Sequence, residues 1–326
     1  IEVRYPGGQL KQLALVAVIA QILAQQDKIV LFQVLRQDRV LHRAKQRRLG
    51  AHGKQHRKHQ WQVTEQHANG AEQHGVGRVA VLEAGWIGGA RPLGQAKIAT
   101  YGAPNPQTYH IFISHLHWDH LMGFPYFAPM YIPGNRIVVH GCHPKLEESI
   151  RQQMQAPNFP VDYAQAGARI EFQLMTPDKP HYIDGLNVTP KLQHHAGDSY
   201  GFRFDSLKRT VVYSTDSEHK LDNPGEYESL VKFFAKADLV IFDAMYSLAE
   251  AVSVKADWGH SSNVVGVELC LAAAARRLAL FHHEPMHDDK QLSRLEAETR
   301  RLEQITRGSQ RPLDIISAYD GLSISL

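Results

Sequence analysis

Six residues constrain this chain more than any other stretch: His115-Leu116-His117-Trp118-Asp119-His120 follow directly on the apolar run YHIFIS, residues 109–114. That run, rich in β-branched and aromatic residues, reads as a buried strand. An apolar core cannot absorb what comes next, because each imidazole needs a hydrogen-bond partner and the carboxylate needs an opposing charge. The segment therefore belongs at a strand end, where a divalent cation satisfies all four side chains. His115 and His117, alternating along the chain, can converge on one ion, while Asp119 and His120 turn to a second. Nitrogen and oxygen donors without thiolates suit zinc, with manganese and iron also compatible.

The surroundings are those of a layered α/β protein. RIVVHG (136–141), RIEFQLM (169–175), TVVYS (210–214), DLVIFDA (238–244) and RLALFH (277–282) read as further strands. Residues 144–155, 226–237, 261–276 and 289–306 have helical composition. Strands alternating with helices imply sheets covered by helices, and no internal repeat is present. With 326 residues, 43% hydrophobic and 21% charged, wholesale disorder and a membrane-spanning bundle are excluded. The apolar run Leu13 to Ala24 falls short of the ~20 residues a bilayer span needs. Two cysteines, Cys142 and Cys270, make no disulfide scaffold and fit a reducing, cytoplasmic compartment, as small apolar side chains.

The net charge of +3 hides a split, since residues 1–80 hold 13 Lys/Arg against 5 Asp/Glu. Six of the twenty histidines also lie there. From Arg36 to Gln73 the chain is dense in Gln, His, Lys and Arg, with few residues that pack a core. We read 1–80 as an atypical basic segment (an insertion, a disordered excursion or a stretch translated in the wrong frame) and 81–326 as the catalytic domain. The seven Lys/Arg between Arg43 and Lys58 could neutralise phosphates, which keeps an RNA-binding role open.

The HxHxDH pattern after a strand resembles the signature of the metallo-β-lactamase superfamily of two-metal hydrolases, and later segments resemble its other elements in the family's order. In LQHHAGDSYGFRF (192–204) the register to Gly201 selects His195, leaving His194 beside the site. VVYSTDSEH (211–219) resembles the element whose aspartate bridges both ions, giving Asp216. RLALFHHEPMHDD (277–289) resembles the last ligand strand, with His282 in that place and His283 as the alternative. The resemblance thus implies a four-layer αββα sandwich in which His115, His117 and His195 hold one ion, Asp119, His120 and His282 the other, and Asp216 both. Asp243 and Asp184 are candidates to back the ligands' free ring nitrogens, or else turn residues.

WGHSS (258–262) further resembles the phosphodiesterase branch that includes ribonuclease Z, in which a histidine over the metals assists the leaving oxygen; His260 is the matching residue. His260 and Asp119 are therefore counted as catalytic. The implied reaction is phosphodiester hydrolysis by a bridging hydroxide, on an anionic, nucleotide-like substrate or RNA. Hydrolysis of a carboxylic ester, thioester or lactone is the alternative, and a nucleic-acid-binding protein on a metal-fold scaffold a third reading. A homo-oligomer is compatible with all of them. The run from His117 to Gly141 is also similar to bacterial hydrolases of unassigned substrate, and its Trp118, Phe124, Tyr126, Phe127 and Tyr131, with Phe159, form either a cleft wall or a packed lid. Tyr246 is a site donor or, more simply, a buried structural tyrosine. The chain departs from the family near its start. IEVRYPGG (1–8) resembles the end of an early strand, but Glu83-Ala84-Gly85 stands where an Asp-x-Gly turn is expected, and some seventy residues between them have no counterpart.

Overall fold

A computed structural model describes residues 15–19, 21–22, 28–34, 78–81, 106–247, 258–319 and 322–326. All belong to the unit formed by Leu13–Leu35 and Gly77–Leu326. The segments 1–8 and 83–85 lie outside the described residues, as does all of 36–77. Within the stretch without a family counterpart, three short strands are described: β1 (Leu15–Ile19), β2 (Gln21–Ile22) and β3 (Lys28–Val34). A fourth, β4 (Arg78–Val81), crosses the expected domain boundary at residue 80.

Two large sheets hold the site. One runs β2-β4-β5-β6-β7, with β5 (Thr108–Phe112), β6 (Arg136–Gly141) and β7 (Arg169–Leu174) parallel to one another. The other has seven strands in the order β14-β13-β12-β11-β10-β9-β8. Its members are β8 (His181–Ile183), β9 (Leu186–Gln193), β10 (Ser199–Asp205), β11 (Thr210–Ser214), β12 (Leu239–Asp243), β13 (Arg277–Phe281) and β14 (Asp314–Ser317). Strands β11 to β14 are parallel, whereas β8 to β10 form an antiparallel meander. A small third sheet joins β1, β3 and β15 (Leu322–Ser325).

Alternation along the strands fixes the layers. On β11 to β13, Val211, Tyr213, Leu239, Ile241, Ala279 and Phe281 join Phe112 of the other sheet in a core between the two sheets. The intervening Val212, Val240, Phe242, Leu278 and Leu280 face outward under α3 (Pro224–Phe234) and α4 (Asn263–Ala272). On the far side, Tyr109, Ile111, Ile137 and Val139 pack under α1 (Trp118–Leu121), α2 (Leu146–Gln153) and short 3₁₀ turns. The result is helix, sheet, sheet, helix, with each fully buried Phe or Leu contributing about 1.5–3 kcal/mol. Helix and sheet approach closely where Gly266 of α4 meets Phe242, since an added Cβ would lie 2.8 Å from its ring. Asn223 and Ser262 cap α3 and α4, and Asp288 opens α5 (Asp289–Thr306) with a reciprocal bond to Gln291. Among the described residues no helix is long and apolar enough to cross a membrane.

Candidate metal centre

Chain direction brings the predicted residues to one edge. His115 lies three residues beyond β5, His195 two beyond β9, Asp216 two beyond β11 and His282 immediately after β13, while Asp243 is the last residue of β12. These are carboxyl ends of strands running the same way, where open α/β sheets present their ligand sites. Asp216 and His282 adopt left-handed backbone, φ 52° and 55°. For non-glycine residues that conformation costs about 1–3 kcal/mol and collects at functional sites.

The donor atoms converge in two groups. Nε2 of His115 lies 2.9 Å from Nδ1 of His117, and Nε2 of His195 lies 3.3 Å from that same atom. Oδ2 of Asp216 lies 3.1 Å from His120 Nε2 and 3.2 Å from His282 Nε2, with Asp119 Oδ2 3.3 Å from His120 Nε2. His115 joins the groups, its Nε2 being 3.9 Å from the Asp216 oxygen. Two ligands about 2.1 Å from a shared tetrahedral ion are separated by about 3.4 Å, so the donor sets fit first-row divalent cations in both type and spacing. His282, not His283, faces Asp216; Nε2 of His283 sits 3.2 Å from the Ser317 hydroxyl.

Burial and neighbouring charges shift these donors in opposite directions. Burial and neighbouring His120 push His115 down to about 2, so its imidazole is neutral and its lone pair available. Burial likewise lowers His195. Burial alone would raise Asp216, but His120 and His282 outweigh it and hold the carboxylate ionised. For His282 burial is again the largest influence and opposes charge, yet the Asp216 carboxylate raises it to about 10.

Backbone and side-chain partners orient the imidazoles. Ser114 Oγ lies 3.0 Å from His115 Nδ1, and the Gly259 carbonyl accepts from His195 Nδ1 at 2.8 Å. Gly259 has φ 81°, and a Cβ there would come within 2.6 Å of that nitrogen. Its N–H donates to Glu218, whose own N–H donates to the His194 carbonyl, tying three ligand loops together. His194 itself is exposed. Asp243, fully buried, accepts from His260 Nδ1 at 2.8 Å and from the Ser217 and Met245 amides. His260 stacks on His282, centroids 4.9 Å apart, and meets His195 edge-on at 5.1 Å. Beneath Asp216, buried His219 lies between Ser214 and Ser217, and burial lowers it to about 4.

Other candidates fall elsewhere. Asp184 sits in the β8–β9 turn at φ 46°, so it shapes a hairpin rather than backing a ligand. Phe124 and Phe127 are fully buried in the outer core, while Trp118 and Tyr126 remain exposed. Tyr246 is buried, edge-on to His260. Sequence reading passed over Ser114, Glu218, Gly259 and His219. Two of them, Ser114 and Gly259, flank predicted residues, and that adjacency was the available signal.

The model of the beta-lactamase superfamily domain matches residues 87–283, more than half of the chain. Ribonuclease Z of Exiguobacterium sibiricum is 27% identical, the match covering 58% of this chain and 75% of that one. Ribonuclease Z of Picrophilus torridus is 23% identical over 58% of this chain and 73% of its own. The crystal structure of the metallo-beta-lactamase fold protein YhfI from Bacillus subtilis shares the fold, with TM-score 0.54 at 18% identity, covering 77% of this chain and 88% of that one. The chain belongs to the metallo-β-lactamase superfamily, as a metal-dependent hydrolase on its ribonuclease Z-like branch.

Proposed function

We propose that the chain hydrolyses phosphodiesters at a two-ion centre. His115, His117 and His195 would hold one ion and Asp119, His120 and His282 the other, with Asp216 available to both; zinc suits the donors, with manganese or iron compatible. Bound ions supply Lewis acidity and an activated water at neutral pH.

The observation that carries the reading is the Asp243–His260 pair. Asp243 commits the proton on His260 Nδ1, so Nε2 is the nitrogen free to exchange one. A ring nitrogen of His260 lies within 4.8 Å of donor atoms of both His195 and Asp216. The carboxylate fixes the orientation of the ring, and His260 acting as general acid would protonate the departing alkoxide, a step worth ~10²–10⁴-fold. A poor alkoxide leaving group needs that proton; a thiolate leaving from a thioester does not. The relatives named ribonuclease Z support a phosphodiester of nucleic-acid type.

The test is metal analysis of the purified protein joined to assays on bis(p-nitrophenyl) phosphate and on thioesters and lactones. Cleavage of a dinucleoside monophosphate, whose leaving group is a poor alkoxide, is expected to fall in His260→Ala at unchanged metal content, with bis(p-nitrophenyl) phosphate less affected. A protein active only on thioesters or lactones would refute the reading.

A further inference from the structure

Among the described residues ten large apolar side chains are exposed, and four come from the loops or strand ends that carry the centre. Trp118, beside His117, is 74% exposed, and Trp258, two residues before His260, is 63% exposed. Leu192 stands three residues before His195 and Met286 four after His282. None joins a core cluster. Apolar surface gathered at a site, rather than scattered, marks recognition.

Charge narrows what is recognised. Segments 115–120, 194–198, 215–223, 258–262 and 282–288 contain one basic residue, Lys220, and no arginine. Beyond the ligand positions they carry Asp198, Glu218, Asp222, Glu284 and Asp288. A long RNA brings one negative charge per nucleotide and is bound through Lys and Arg; these segments supply one such residue. A single phosphodiester charge needs only the metal centre, and an indole rim binds the flat group attached to it, since every nucleobase or aryl ring offers a π-face.

We infer that the substrate is a small phosphodiester of single negative charge whose retained ester group, the one not expelled, carries an aromatic ring, a nucleobase or aryl group, that stacks on Trp118 or Trp258. This rests on the phosphodiesterase reading above and names the substrate class of that site.

The experiment compares metal-loaded wild type with Trp118→Ala, Trp258→Ala and the double variant, on bis(p-nitrophenyl) phosphate and on methyl p-nitrophenyl phosphate. The two esters share a leaving group and differ in the second substituent. The expected result is a KM for the diaryl ester raised about tenfold, a change under about twofold for the methyl ester, and unaltered metal content. Trp118→Phe, which keeps a ring, should recover most of the loss. Independently of turnover, adenosine 5′-monophosphate should quench indole fluorescence of the wild type and not of the double variant. Equal effects on both esters, or none, would overturn the inference while leaving the phosphodiesterase reading intact. So would preference for an oligoribonucleotide whose KM climbs steeply with salt, which would assign recognition to basic residues instead. A wild type that cleaves no diester would overturn both.

Discussion

His110 and His115 sit five residues apart on and just past one strand, and both are buried. His110 points into the layer between the sheets, where its Nδ1 meets Nε2 of His140 at 2.9 Å and the two rings stack; His140 in turn stacks on Phe112. Burial lowers both, His140 to about 3, so the pair is neutral. His115 is equally buried and equally neutral, yet its Nε2 faces a nitrogen of His117 and the Asp216 carboxylate. Burial and lowered basicity therefore do not distinguish a functional histidine from a core one. Convergence does: the core pair answers itself, whereas the edge cluster aims several lone pairs at one point.

The contrast can be broken at either end. The largest effect is expected from Asp216→Ala, which removes the carboxylate shared by both groups: activity should fall on the order of 10³-fold and metal content should drop by elemental analysis. Full metal retention would refute the shared role. His260→Ala should lower kcat on a dinucleoside monophosphate about 100-fold with metal content intact, and Asp243→Asn should follow it in the same direction. Gly259→Ala should weaken metal binding by about tenfold in chelator competition, because the new Cβ displaces the carbonyl that orients His195; unchanged affinity would show that the carbonyl is dispensable. The smallest effect belongs to the core pair. His140 has a folded value near 3 against 6.5 in the open chain, so the unfolded state binds the proton first as pH falls. Stability is complete above about 6.5 and declines below it, by up to about 1.4 kcal/mol per pH unit for such a group. The paired replacement His110→Phe with His140→Phe leaves no orphaned partner; it should flatten part of this decline in urea titrations at pH 7 and pH 5 while sparing metal content. A variant that loses metal would show that the two regions are coupled.

The donor residues were legible because their chemistry is local. Three imidazoles and a carboxylate in six positions have no apolar explanation, and the strands leading to Asp216 and His282 carry plain β-branched runs. The groups that aim them were not legible. The Gly259 carbonyl and the Glu218 carboxylate act through backbone atoms of loops distant in sequence, and no side-chain pattern announces a carbonyl. The choice between His282 and His283 turned on a left-handed residue after β13, which sends the first ring to Asp216 and the second to Ser317. Phe124 and Phe127 had aromatic character that fitted wall and core alike; only packing against Tyr109 and its neighbours separates them from exposed Trp118. The β8–β10 meander was harder to read than the central strands because His181–Ile183 is too short to show a period.

The left-handed backbone at Asp216 and His282 has a consequence for anyone who evolves this enzyme. At both positions glycine would be the more comfortable residue, so a screen that rewards thermal endurance alone will be drawn to replace them. On the proposed reading such a product would lose its metal, so these two sites mark where selection for ruggedness and selection for catalysis part company. Libraries should hold them fixed and seek stability in the helical layers instead.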